Sequence, residues 1–170
     1  MTSAYAAPYW PATLATTRLE LRPVVSSDVP AIARLWTDAE VRRYLGGPVA
    51  EDVVRLRGQR CVGATGVFSV VRRKDDCLLG LVLVEPDARD GRTEVSYQFL
   101  PEHWGRGYAR EAVAAAVSWA SAEVTSKVPG VVAVTQEANE RSRQLLDALG
   151  GVLVGRFEEW GAPQVMYRFT

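Results

Sequence analysis

Gly105 and Gly107 flank Arg106 immediately ahead of a stretch in which Ala112, Val113, Ala116, Val117 and Ala120 recur at helical spacing. Glycines at alternate positions before a helix let the main chain approach an anion with no Cβ in the way. The first-turn N–H groups have no intrahelical partner, and the helix dipole adds roughly half a positive charge there. Such a turn binds phosphate oxygens, and Arg106 and Arg110 are placed to add charge-assisted contacts. On this reading a Cβ at Gly107 would stand against the phosphate. A plain strand-to-helix turn uses the same glycines, so the pair alone leaves both readings open. The string is not G-x-G-x-x-G and does not end in Gly-Lys-Ser or Gly-Lys-Thr, so dinucleotide-fold and Walker-loop chemistry are excluded.

Other reactive side chains are sparse. His103 is the single histidine, and its place beside Pro101 favours a solvent-facing role over a catalytic one. Cys61 and Cys77 form no C-x-x-C pair, so the expectation is two buried thiols and no metal.

The elements that must hold this loop follow from periodicity. Arg18 to Arg22 alternates as a first strand, and Asp28, Pro30, Ile32, Leu35, Trp36 and Ala39 mark a first helix with Asp28 as its cap. After Gly46-Gly47-Pro48 a weaker amphipathic helix covers Val49 to Val62. Val67 to Val71 and Leu78 to Val84 read as a hairpin across a charged turn, and a further turn spans Asp87 to Arg92. Thr93 to Leu100 is the fourth strand, with Val95, Tyr97 and Phe99 on its apolar face and Glu94, Ser96 and Gln98 on the other. The glycine loop and long helix follow, then a buried fifth strand, Val131 to Thr135. A helix capped by Asn139 carries the inward stripe Ser142, Leu145, Leu146 and Leu149 and stops at Gly150-Gly151. Val152 to Trp160 and Gln164 to Phe169 close the chain, giving the order β-α-α-β-β-β-α-β-α-β-β.

A chain of 170 residues with 48% hydrophobic and 24% charged residues suits one α/β domain, here residues 16–170 behind an arm of residues 1–15 tethered by Tyr9 and Trp10. Twenty basic against 20 acidic residues leave no net charge, so no long-range field favours nucleic acid or anionic lipid. No apolar run approaches the roughly 20 residues of a membrane span, and no signal peptide is visible, so a soluble cytoplasmic protein is expected.

Trp104-Gly105-Arg106-Gly107-Tyr108-Ala109, after a strand ending Tyr97-Gln98-Phe99-Leu100-Pro101, resembles motif A of the GNAT acetyltransferases. Glu111, the opening Arg18-Leu19-x-Leu21-Arg22-Pro23, Asn139-x-x-Ser142-x-x-Leu145 and Leu149-Gly150-Gly151 extend the likeness over residues 17–170. It is similar to the branch containing the ribosomal-protein N-terminal acetyltransferases. Trp104 stands where the general motif opens with Gln or Arg, and Gly151 where an aromatic usually follows Leu-Gly.

The resemblance implies a single-domain GNAT fold, a mixed, mostly antiparallel sheet splayed between strands four and five. Acetyl-CoA would be the cofactor, its pyrophosphate on the 104–110 loop and its pantetheine on backbone groups of Gln98, Phe99 and Leu100. The expected reaction is acetyl transfer to a primary amine, a protein or peptide N-terminus or a small molecule such as an antibiotic or polyamine, by direct attack in a ternary complex. A catalytically silent CoA-binding module is the non-enzymatic alternative, and monomer and homodimer both remain open. Glu94 is the first candidate base and Ser142 the candidate acid, against a salt bridge and a backbone-satisfying hydroxyl respectively. Asn139 is either a pantetheine contact or only a helix cap. Glu158, Glu159 and Trp160 line an amine cleft or a solvated strand face.

Overall fold

The computed structural model describes residues 7–170, so the first part of the expected arm, with Tyr5, lies outside the described residues. In chain order the elements are β1 (Leu14–Ala15), β2 (Leu19–Pro23), α1 (Val29–Thr37), α2 (Glu51–Cys61), β3 (Val67–Arg72), β4 (Cys77–Arg89), β5 (Arg92–Phe99), α3 (Tyr108–Glu123), β6 (Val131–Gln136), α4 (Glu140–Ala148), β7 (Val152–Glu159) and β8 (Ala162–Phe169). The strands form one sheet in the order β1-β2-β3-β4-β5-β6-β8-β7. Among the described residues, β5 with β6 is the parallel pair and the other neighbours run antiparallel.

Helices cover the sheet in two layers. Ile32, Leu35 and Trp36 of α1 and Cys61 of α2 bury against Leu78, Leu81 and Leu100. Ala112, Val113, Ala116 and Ala120 of α3 and Leu146 of α4 pack on the opposite face with Phe68, Val82, Val95 and Phe99. Tyr97 joins this second cluster, and side chains alternate along a strand, so Glu94, Ser96 and Gln98 face the α1–α2 side. Trp10 is buried edge-on against Phe68, with centroids 5.0 Å apart, and Tyr9 meets Trp119.

Leu14 and Ala15, in the stretch read as an arm, instead join the sheet as β1, pairing antiparallel with Leu21 and Glu20 of β2. Three further local differences have physical causes. β4 runs on to Arg89, through residues read as a turn, because an irregularity between Glu85 and Arg89 lets pairing with β5 resume. Asp28 stands at the start of α1 but makes no cap bond; Arg22 and Ser69 Oγ take its carboxylate at 2.7–3.0 Å and 2.8 Å, charge-assisted contacts stronger than a cap. Cys61 is buried as expected, whereas Cys77 is only half-buried, at the first residue of β4 beside His103.

The glycine loop is held from behind by Glu111 in the first turn of α3. Its Oε1 accepts from Thr16 Oγ1 at 2.6 Å and Arg18 N at 2.8 Å, while Oε2 accepts from Arg18 Nε at 2.7 Å. Arg18 Nη1 also donates to the carbonyl of Arg106 at 2.9 Å, so one ion pair joins the start of β2 to the loop itself. Burial opposes the charge on Glu111, yet these donors outweigh it and hold the carboxyl below the usual glutamate range. Glu111→Ala is expected to cost about 2 kcal/mol near neutral pH. Because the folded-state pKa is lowered, the stabilisation is present above the ordinary glutamate range and is lost as pH falls through the folded value. Denaturant titrations of wild type and variant at several pH values will show the gap closing in acid.

Candidate active site

β5 and β6 pair only at Thr93 with Val131 and Glu94 with Val132. β6 meanwhile stays laddered to β8 along its whole length, so beyond Glu94 the two strands part. A cavity of about 1030 Å³ fills the gap, with Glu94, Tyr97 and Phe99 on one wall and Asn139 and Ser142 on another. Its mouth is lined by residues of the 40–46 segment and by Glu159 and Trp160 at the β7–β8 turn. Gln136 Nε2 donates to the Tyr44 carbonyl at 3.0 Å, fixing that segment to β6.

The loop after β5 has the geometry an anion cradle requires. Gly105 and Gly107 adopt φ of 72° and 78°, the left-handed region that glycine occupies without a steric cost. Gly107 caps α3 with no side-chain acceptor, so the amides of Tyr108, Ala109 and Arg110 have no partner among the described residues. A Cβ on Gly105 would meet nothing within 4 Å. At Gly107 it would meet Arg18 Nη2, the far end of a flexible side chain, at 3.3 Å. Trp104 and Ala109 line the cavity, while Arg106 and Arg110 are exposed. The Tyr108 ring is buried under the Arg18 guanidinium, 4.4 Å from its centroid, leaving its backbone as the group that faces the loop.

The strand end divides the three residues expected to offer backbone groups. Leu100 donates to Leu79 O and accepts from His103 N, so its main chain is fully engaged. Ladder bonds alternate, which turns the main chain of Gln98, opposite Leu81, toward β4 and that of Tyr97 and Phe99 toward the gap. The Phe99 carbonyl accepts from Trp104 Nε1 at 2.8 Å, and Arg141 stacks over that indole at 4.3 Å. Trp104 therefore braces the open strand edge. The Gln98 side chain lines the cavity with a buried Oε1 that has no partner among the described residues. An anion cradle, an open strand edge and an unpaired acceptor together fit a long thioester carrying a pyrophosphate.

Glu94 and Ser142 reach this cavity from opposite faces of β5. Burial raises the Glu94 carboxyl above the usual range, and Arg89, whose Nε lies 3.2 Å from Oε2, pulls in the other direction without cancelling it. Arg89 Nη1 also donates to Glu159 Oε2 at 3.0 Å, so one guanidinium clamps both carboxylates. Glu158, by contrast, is exposed and outside the cavity lining. Ser142 Oγ sits 2.6 Å from Tyr97 Oη. Asn139 does cap α4, its Oδ1 accepting from Ser142 N at 3.2 Å, and it also lines the cavity. His103 is half-buried against Cys77, with Nε2 3.9 Å from Sγ, and does not line the cavity.

Sequence reasoning missed Arg89 and the hydroxyl of Tyr97. Arg89 looked like a turn residue, and Tyr97 was counted by the apolar period of its strand. Arg89 meets Glu94 five residues on and Glu159 70 residues on, and Tyr97 meets Ser142 45 residues on, contacts that only the fold brings together.

The split sheet thus sets a glycine turn beside a cavity that holds Glu94, Tyr97 and Ser142. A family model for the acetyltransferase (GNAT) domain matches residues 18–152. The chain belongs to the GNAT family of acetyltransferases and is an enzyme of the acyl-CoA N-acyltransferase type. A Bacillus subtilis (strain 168) relative, the uncharacterized N-acetyltransferase YoaA, is 30% identical over 162 residues, covering 88% of this chain and 90% of its own. Among solved structures, an acetyltransferase (GNAT family) from Bacillus anthracis superposes with a TM-score of 0.81 at 22% identity, covering 93% of this chain and 98% of that one. RimL, the ribosomal L7/L12 α-N-protein acetyltransferase in complex with coenzyme A, gives 0.72 at 17% identity, covering 93% and 97%. GNAT enzymes use acetyl-CoA and act on amine acceptors. No helix among the described residues is long and apolar enough to cross a membrane.

Replacing Arg89 by Met removes the cation that opposes burial at Glu94. The Glu94 carboxyl is expected to titrate at still higher pH in that variant. Carboxyl ¹³C shifts followed against pH will show it, and an unmoved Glu94 titration would separate the two groups electrostatically.

Proposed function

We propose that this enzyme moves an acetyl group from acetyl-CoA to a primary amine, with a protein or peptide N-terminal amine as the favoured acceptor, by direct attack in a ternary complex. The observation that carries the reading is the convergence of Glu94 and Ser142, from two faces of β5, on a single cavity also lined by Trp104 and Ala109, the residues that flank the glycine turn. The amides of residues 105–110, the main chain of Tyr97 and the N–H of Phe99 would hold the cofactor, with Trp104 and Asn139 as flanking contacts. Acetyl-CoA supplies the activated thioester.

Glu94 takes the proton that the attacking amine sheds. Its raised pKa brings the carboxylate closer to the operating pH than an ordinary glutamate, which improves it as a base. Ser142 donates a hydrogen bond to the departing sulfur. The two roles fall to separate faces of the strand, so acid and base need not compete for one position. The likeness to RimL and the exposure of Trp160, 90% at the cavity mouth, support an acceptor presented from outside, as a chain terminus is. A cytoplasmic monomer or homodimer is the setting that accompanies this reading.

An acceptor screen tests it: thiol release from acetyl-CoA is followed with N-terminal peptides, polyamines and aminoglycosides. At least a tenfold preference for peptides in kcat/KM, about 1.4 kcal/mol of transition-state discrimination, is expected. A preference for polyamines or aminoglycosides would replace the peptide acceptor by a small-molecule amine, and CoA binding without turnover on any amine would favour a silent module. Glu94→Gln is expected to lower kcat by a factor on the order of 10² with little change in KM for acetyl-CoA. Full activity of that variant across pH 6 to 9, approximately the range in which a carboxylate base matters, would move the base elsewhere. Gly105→Ala is expected to weaken CoA binding at least tenfold, about 1.4 kcal/mol, by calorimetry. Unchanged affinity in a folded variant would take the loop out of the site.

A further inference from the structure

The Tyr97 hydroxyl has a use that packing does not explain. Tyr97 lies on the β5 face that packs toward α3 and α4, and its Oη reaches Ser142 Oγ at 2.6 Å. Burial pushes the phenol up to about 12, against the opposing pull of the Ser142 hydrogen bond, so it keeps its proton throughout the working pH range. Ser142 is held on its other side, its N–H bonded to Asn139 Oδ1 at 3.2 Å, and among the described residues its Oγ has Tyr97 as its side-chain partner. Either hydroxyl could donate by geometry alone. A phenol is far more acidic than an aliphatic alcohol, so the stronger arrangement has Tyr97 donating and Ser142 accepting.

We propose that Tyr97 is a positioning residue for the Ser142 hydroxyl: by donating to Oγ it turns the serine proton away from β5 and into the cavity, where the sulfur leaves. This rests on the reading of Ser142 given above. A serine rotor without such a partner samples three staggered directions, and only some of them are productive. Fixing it removes that loss, and donation into Oγ polarises the serine O–H, so the onward hydrogen bond is strengthened as well. Tyr97 loses no proton in the net reaction. The nitrogen–carbon bond forms, the carbon–sulfur bond breaks with its electron pair on sulfur, and the amine proton passes to Glu94. Ser142 stabilises the negative sulfur until solvent protonates it.

Four proteins test the proposal: wild type, Tyr97→Phe, Ser142→Ala and the double variant, each first checked for an unchanged melting temperature. Two quantities are read, the steady-state constants and the pKa of the bound CoA thiol from its thiolate absorbance. Tyr97→Phe is expected to lower kcat about tenfold while KM for acetyl-CoA stays within about twofold, and to raise the bound thiol pKa. In the Ser142→Ala background the same change is expected to move neither quantity, because no rotor remains to be positioned. An equal effect of Tyr97→Phe with and without Ser142 would mean a structural hydroxyl and overturn the proposal. So would an unchanged Tyr97→Phe beside an impaired Ser142→Ala, which would leave the serine reading intact. If Ser142→Ala itself keeps wild-type turnover and thiol pKa, the serine reading fails and the inference fails with it.

Discussion

Parallel pairing between β5 and β6 stops after two residues, and the site exists because it stops. A laddered β5 would spend the main chain of Tyr97 and Phe99 on β6 and close the gap from which the cavity is made. β6 is held on its other side by β8 along its full length, so it diverges as part of a rigid pair rather than as a loose edge. The exposed edge of β5 is in turn braced by Trp104, whose indole occupies the Phe99 carbonyl, and by the loop that Arg18 and Glu111 pin at the start of α3. Unpaired backbone in a half-buried strand is costly unless something satisfies it. A ligand that paired with this edge would offset that cost.

The same split sorts the chemistry by face. Alternation along β5 sends Glu94 toward the α1–α2 layer and Tyr97 toward the α3–α4 layer, so a carboxylate and a hydroxyl pair meet the gap from opposite directions. Arg89 gives the first of these its charge balance. Without a cation, a carboxylate as buried as Glu94 would be neutral well above the ordinary range; with a fully exposed one it would be a weaker base. The position of Arg89 depends on the irregularity in β4 between Glu85 and Arg89, so a backbone detail remote from the glycine turn sets the electrostatics of the cavity.

Much of this was legible in the residues. The glycine turn, the α4 cap at Asn139 and the inward stripe through Ser142 are local features, written in residue types at fixed short spacing, and the structure contains each of them. Two readings shifted because a stronger partner was available. Asp28 left its cap for the guanidinium of Arg22, and Leu100 gave its main chain to Leu79 and His103 rather than to the gap. Neither competition can be seen from one segment alone, since the outcome depends on which groups the fold brings within about 3 Å.

By itself the sequence determined the fold class, the glycine turn and the elements apart from β1, which lies in the stretch read as an arm, because periodicity, capping and turn chemistry act over a few residues. Tertiary structure decided what those residues do to one another. It set where the β5–β6 ladder ends, which carboxylates share Arg89, and that the Tyr97 hydroxyl, counted along its strand as part of an apolar face, stands against Ser142. These are through-space facts among segments distant in the chain. Their energies depend on distance and burial, which no spacing in the sequence encodes.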